Sequence, residues 1–299
     1  MYALLLVIIL VSAANAHLGD RIYPIPEIVD GDLDQFDLHD RNLDDWRTVM
    51  SAPTLTPIDL FADPTVGEGA PYDPADMDYQ IWLGWNGSTS RLYFAIERTD
   101  DSFINEYEGG NPGDFWRHDG SFYLMLDGDH SGGDYTGSAD PDWSDEEKTW
   151  NNNRTAQLYF AISDAPDGQH LGYHGAGSEW VCALPYANAS GGTMEGTPAI
   201  SVLEGFVTPF DDLYWNDPDS DFIETRPSEL FSGKIIGFNV EVPDFDIEPS
   251  AYRAFHHLSG KPSWRYAEHF VDARLISGPD NTAVESRSWA RIKASFQGK

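Results

Sequence analysis

Residues 79–98 read YQIWLGWNGSTSRLYFAIER, and this stretch decides the fold. In its second half Leu92, Phe94 and Ile96 alternate with Tyr93, Ala95 and Glu97. A period of two puts successive side chains on opposite faces, as in a strand half-buried in a sandwich. Between the two apolar runs lies Asn86-Gly87-Ser88-Thr89-Ser90. Asn-Gly accepts the left-handed backbone of a tight turn, so the runs predict a hairpin. Trp82 and Trp85 differ in parity along the first strand, so they should face opposite sides of the sheet, at least one of them in the core.

Working outward, similar segments recur at 121–126, 155–163, 179–184, 200–207, 234–242 and 269–276, separated by turn residues. Helix signals are scarce. Ser144 with Glu147 has the spacing of a capping box, and 247–258 could hold one or two turns. The chain therefore reads as all-β: an antiparallel β-sandwich, jelly-roll-like, with little helix and long loops at 60–78, 127–153 and 164–178. Loops of that length in a compact domain tend to carry function.

Residues 2–11 form an apolar run followed by Ser12-Ala13-Ala14-Asn15-Ala16, the anatomy of a signal peptide cut after Ala16, although no Lys or Arg precedes the run. The reading is thus an exported chain, secreted or periplasmic, with residues 17–299 as a single domain. One cysteine, Cys182, allows no internal disulfide, so packing must supply the core. Asp and Glu number 50 against 18 Lys and Arg, a net charge of −32. That balance argues against nucleic acid and anionic membrane surfaces as partners. Aromatic residues make up 13% of the chain, too many for the acidity to signal disorder.

Three segments together resemble the family 9 carbohydrate-binding modules and the related DOMON sandwiches. They are Ile28-Val29-Asp30-Gly31-Asp32-Leu33-Asp34 with Trp46, the hairpin strands Ile81–Asn86 and Arg91–Asp101, and Trp116–Asp127. The resemblance spans about residues 27–135 and implies a β-sandwich, a structural calcium ion and sugar held between aromatic rings; residues 136–232 match no pattern.

Candidate residues follow from local chemistry. Asp127-Gly128-Asp129-His130-Ser131-Gly132-Gly133-Asp134 alternates oxygen donors with glycine, like the start of a calcium loop, making Asp127, Asp129, Ser131 and Asp134 candidate ligands. Asp73–Asp78 and Asp217–Asp221 are weaker versions. Stacking on the C–H face of a sugar needs an exposed flat ring with polar neighbours. Trp116, beside Arg117 and Asp119, meets that description, as do Trp143 and Trp215 in polar surroundings. The expected partner is an oligosaccharide or polysaccharide, bound without catalysis. Two alternatives stand beside it: an extracellular glycoside-active enzyme using paired carboxylates, and a cation-binding surface or adhesion protein.

Overall fold

The structure, a computed structural model, describes residues 18–28, 43–109, 115, 117–135, 144, 156–174, 179–213, 225–248, 251–261 and 263–278. The signal-like segment lies outside these residues. Fourteen strands are described. In chain order they are β1 Leu18–Pro26, β2 Phe61–Ala62, β3 Met77–Asn86, β4 Arg91–Asp100, β5 Ser121–Asp127, β6 Gln157–Ile162 and β7 Leu171–Tyr173. There follow β8 Ala187–Met194, β9 Ala199–Val207, β10 Phe210–Asp212, β11 Arg226–Pro227, β12 Ile235–Phe245, β13 Tyr252–His257 and β14 Val271–Ile276. Among the described residues one short helix, α1 Asp44–Val49, accompanies a few 3-10 turns. Among the described residues no helix is long and apolar enough to cross a membrane.

The strands form an eight-stranded sheet along β1-β14-β12-β5-β6-β7, with β13 and β2 branching from β12, and a four-stranded sheet β3-β4-β9-β8. Pairing is antiparallel except for β1 with β14. The predicted hairpin is β3 and β4, in register from Met77 opposite Asp100 to Asn86 opposite Arg91. Asn86 tightens its turn: Oδ1 accepts from the Ser88 and Thr89 amides at 2.9 and 3.2 Å.

Alternation explains the core. Ile81, Leu83, Trp85, Leu92, Phe94 and Ile96 from one sheet meet Phe122, Leu124, Leu126, Phe238, Val240 and Val242 from the other. Each such side chain contributes about 1.5–3 kcal/mol by leaving water. The opposite parity is covered as well. Trp82, Tyr93 and Ala95 pack under Trp46 of α1, whose Nε1 donates to Glu204 Oε2 at 2.9 Å. Trp82 and Trp85 thus face opposite sides, as their parity requires, and both are buried. On the outer face of the eight-stranded sheet Tyr123, Met125 and Leu158 are covered by Tyr135, Ala267 and Phe270. That double cover is why β5 is buried along its whole length.

Two local expectations differ from the structure. Residues 179–182 form a 3-10 turn rather than a strand, with Val181 in the core and Trp180 against Tyr186 and Phe210. Residues 252–257 form β13 rather than helix, because pairing with β12 satisfies their backbone and buries Ala254, His256 and His257. Strand β8, ANASGGTM, has no apolar period; pairing with β9 alone makes it a strand.

One buried cation joins the two sheets. Arg98 of β4 donates through Nη1 to the Asp119 and Pro243 carbonyls, and through Nη2 to Asp119 Oδ1 at 2.9 Å and Asp244 Oδ1 at 3.4 Å. Its Nε donates to Asp100 Oδ2 at 3.0 Å. Removing one partner of a buried ion network strands the remaining charges. Arg98→Met should therefore lower unfolding free energy by about 3–5 kcal/mol in urea titration, whereas Arg47→Met, which breaks the exposed pair with Glu97, should cost about 1 kcal/mol or less.

Candidate functional site

Strand β5 carries predicted site residues at both ends. Its seven residues separate those ends by about 20 Å at the usual rise per residue. The Arg117 and Asp119 candidates at one end and the Asp127–Asp134 candidates at the other therefore do not converge on one site.

At the amino end, Asp119 has no exposed surface. Its Oδ1 accepts from Arg98 Nη2 and from the Phe245 amide, both at 2.9 Å, and its Oδ2 accepts from the Ile104 amide at 2.8 Å. The expectation that Asp119 faces a sugar is corrected on this point: every contact is with the protein interior. Arg117 is half-exposed and donates to Glu106 Oε2 at 2.8 Å. Trp116, Trp143, Trp215 and the Asp217–Asp221 run lie outside the described residues.

Among the described residues two carboxylate trios have oxygens within 4.8 Å of one another: Asp100 with Asp119 and Asp244, and Asp76 with Asp101 and Asp246. Each gathers around a guanidinium. Arg98 sits among the first, and Arg253 Nε reaches Asp76 and Asp246 at 2.7 and 2.9 Å in the second. Burial pushes Asp244 up to about 7 despite Arg98, with Asp100 and Asp76 adding to the rise.

At the carboxyl end the chain makes the turn that alternating donors and glycines predict. A Cβ on Gly128 would lie 2.1 Å from Ser228 Oγ and 2.5 Å from the Phe210 carbonyl, so only glycine fits. His130 and Gly132 take positive φ, 61° and 71°. The two oxygens of buried Asp127 accept from the Ser131 amide at 3.2 Å and the Gly132 amide at 2.7 Å, while Asp129 Oδ1 accepts from the Ser131 amide at 3.0 Å. Asp127, Asp129 and Ser131 are thus brought together. Burial, with Asp127 close by, pushes the Asp129 carboxyl up to about 6. Asp134 turns away: its Oδ2 accepts from Arg265 Nε and Nη2, each at 3.1 Å.

That ion pair introduces residues that sequence reasoning missed. The chain from Ser263 to Phe270 runs beside the loop: the Tyr135 amide donates to the Arg265 carbonyl at 2.9 Å and the Ala267 amide to the Gly133 carbonyl at 2.8 Å. On this pinned segment Trp264 is 53% exposed and Tyr266 37%. The guanidinium of Arg265 stands 5.0 Å from the Tyr266 ring centre, and His269 meets the same ring edge-on at 5.3 Å. The segment thus presents two exposed rings two residues apart, and a guanidinium, itself paired with a carboxylate, and an imidazole lie against the second; we call it the platform. The segment SWRYAEH was legible as polar chain with interspersed aromatics, the same signal that singled out Trp116. Nothing local showed that it would lie against residues some 130 positions earlier.

No family model matches the chain, and no curated protein matches it. Among solved structures it is similar to a carbohydrate-binding module of family 9 from Caldicellulosiruptor kristjanssonii in complex with cellotriose, with 12% identity over 87% of this chain and 96% of that one and a TM-score of 0.48. A second structure of a family 9 module from that organism, in complex with glucose, gives 12% identity over 87% and 98% of the two chains and a TM-score of 0.46. At such identity the likeness concerns the fold alone. Both are structures of the family that the three sequence segments resemble.

The zipper between loop and platform depends on Asp134. Asp134→Ala should leave global stability within about 1 kcal/mol, because Arg265 is part-exposed. Hydrogen exchange at the Tyr135 and Ala267 amides should nevertheless quicken, while the core strands keep their protection.

Proposed function

We propose that the protein is an exported, non-catalytic carbohydrate-binding protein and that Trp264 and Tyr266 form the surface on which a sugar stacks. The observation that carries the reading is a tryptophan more than half exposed on a segment held by backbone hydrogen bonds and an ion pair. An exposed large ring costs the fold the burial it forgoes, and a rigid ring loses little entropy when a ligand covers it. Flat apolar faces suit the C–H face of a pyranose, and the Asp134 and Arg265 head groups suit its hydroxyls. The three family-like segments and the signal-like leader support the same reading.

Calcium belongs to the proposal as a stabiliser of the loop beneath the platform. Asp127, Asp129 and Ser131 would hold it; Asp134 is committed to Arg265. The donor set suits a hard cation, since the oxygens of two crowded carboxylates repel until a positive charge lies between them. Calcium would neutralise that pair and stiffen the turn from which residues 131–135 reach the platform.

Glycan-array screening followed by calorimetry tests the binding reading. Trp264→Ala should weaken affinity at least about tenfold, near 1.4 kcal/mol, with an unchanged melting temperature; binding unaffected by this change, or no glycan bound at all, sinks the proposal. Calcium should raise the melting temperature of the wild type and not of Asp129→Asn. Because the Asp129 carboxyl must lose its proton to bind the ion, calcium affinity should fall as pH drops below about 6.

A further inference from the structure

Ser263, the residue before Trp264, is fully buried, and its partners set where the platform begins. Its Oγ donates to Glu241 Oε1 at 2.8 Å. Asn239 Nδ2 donates to Ser263 Oγ and, at 3.3 Å, to the same Glu241 oxygen. The Tyr135 hydroxyl donates to the Ser263 carbonyl at 2.9 Å. Asn239 also steadies the approach to this point, its Oδ1 accepting from the Ser259 amide at 3.0 Å. Asn239 and Glu241 are alternate residues of β12, opposite in parity to Val240 and Val242, which enter the inter-sheet core. They stand on the outer face of the eight-stranded sheet, beneath the segment that carries the rings.

Glu241 is 2% exposed. It lies opposite Tyr123 on β5 and His257 on β13. The groups facing it offer no positive charge. Asp63 adds a like charge, and His257, whose Nε2 is 3.7 Å from Asp63 Oδ2, is kept towards its neutral form by burial. The phenols of Tyr123, Tyr135 and Tyr252 are all pushed up by burial and stay protonated. Asn239 and Ser263 complete the surroundings as neutral hydrogen-bonding groups. Burial accordingly pushes the Glu241 carboxyl up to about 8, even though the Ser263 hydroxyl, which bonds the ionised form more strongly, pulls the other way.

We propose that Glu241 is the positioning residue of the aromatic platform: it accepts the Ser263 hydroxyl and pins the Trp264–Tyr266 segment to the sheet, and because a charge there would be buried with no cation beside it among the described residues, rising pH favours release of the segment. The assignment of a role to the pinned rings rests on the carbohydrate-binding reading; the pinning itself does not. The direction follows from linkage. When the segment opens, Glu241 meets water and ionises at the ordinary carboxylate value of 4.5, against about 8 when closed. Between those values the closed form holds more protons than the open one, so each pH unit favours opening by up to about tenfold. Above about pH 8 both forms are ionised and the dependence ends.

The experiment is hydrogen exchange on the whole protein, wild type and Glu241→Gln, from pH 5 to 9 with intrinsic rates corrected, read at the Tyr135 and Ala267 amides. Glutamine keeps the acceptor for Ser263 and cannot ionise, so it should rescue the pin at high pH. Wild-type protection should fall more than that of the variant by at least about thirtyfold between pH 5 and 8, with no further divergence above 8. Curves that stay within about threefold of one another across the range overturn the proposal. The variant's melting temperature confirms that it folds, and the comparison within each protein over pH removes any constant loss. The same two proteins are screened on a glycan array at pH 6 and 8. Diverging exchange with no glycan bound retires the carbohydrate reading and keeps the pin; glycan binding with parallel exchange curves retires the pin alone.

Discussion

The Arg98 guanidinium is the constraint on which the rest of the structure depends. It leaves the four-stranded sheet on β4 and reaches Asp119 and the Pro243–Asp244 end of β12 in the other sheet. Apolar packing between two sheets has no direction and tolerates sliding. A guanidinium with donors fixed in a plane does not: it sets where the end of β4 sits against the start of β5 and the end of β12. The price is three carboxylates buried around one cation, and burial raises Asp119 and Asp244 despite it. With that end fixed, the direction of β5 is fixed, and so is the place where the Asp127–Asp134 loop emerges.

The platform depends on a different kind of restraint. Trp264 and Tyr266 gain little from burial, so their position is set by neighbours that are buried: Ser263 in the Asn239–Glu241 node and Phe270 against Tyr135. Polar groups in the interior need partners in specific geometry, which confers position where apolar contact confers only stability. His256 and His257 illustrate the same economy. Both are buried on β13, and Tyr79 OH lies 3.1 Å from His256 Nδ1 while Ser259 Oγ lies 3.3 Å from His257 Nδ1. Their surroundings make them part of the sheet's polar interior.

Acidity serves two roles that composition alone cannot separate. Asp100, Asp119 and Asp244 are internal and paired with Arg98, whereas Asp129 lies on the surface of its turn. The likeness in residue type between the β4 end and the β5 end therefore conceals opposite environments. Where a guanidinium already fills a carboxylate cage, there is no vacancy for a cation to claim.

By itself the sequence determined what short-range geometry controls. Alternation in Arg91–Arg98 made β4 a two-faced strand, the turn signal at Asn86 marked the hairpin although its left-handed residue is Ser90 rather than Gly87, and opposite parity separated Trp82 from Trp85. The donors and glycines of Asp127–Gly132 specified a tight turn, because a turn is made by the residues within it. Only the tertiary structure decided exposure and company. Trp264 reads as one more aromatic residue in polar chain until its exposure is seen, and Asp119 reads as a surface carboxylate until Arg98 is brought to it. Strand β8 and the Asp134–Arg265 pair exist because distant segments meet. Burial is a property of neighbours far along the chain, and no local period reports it.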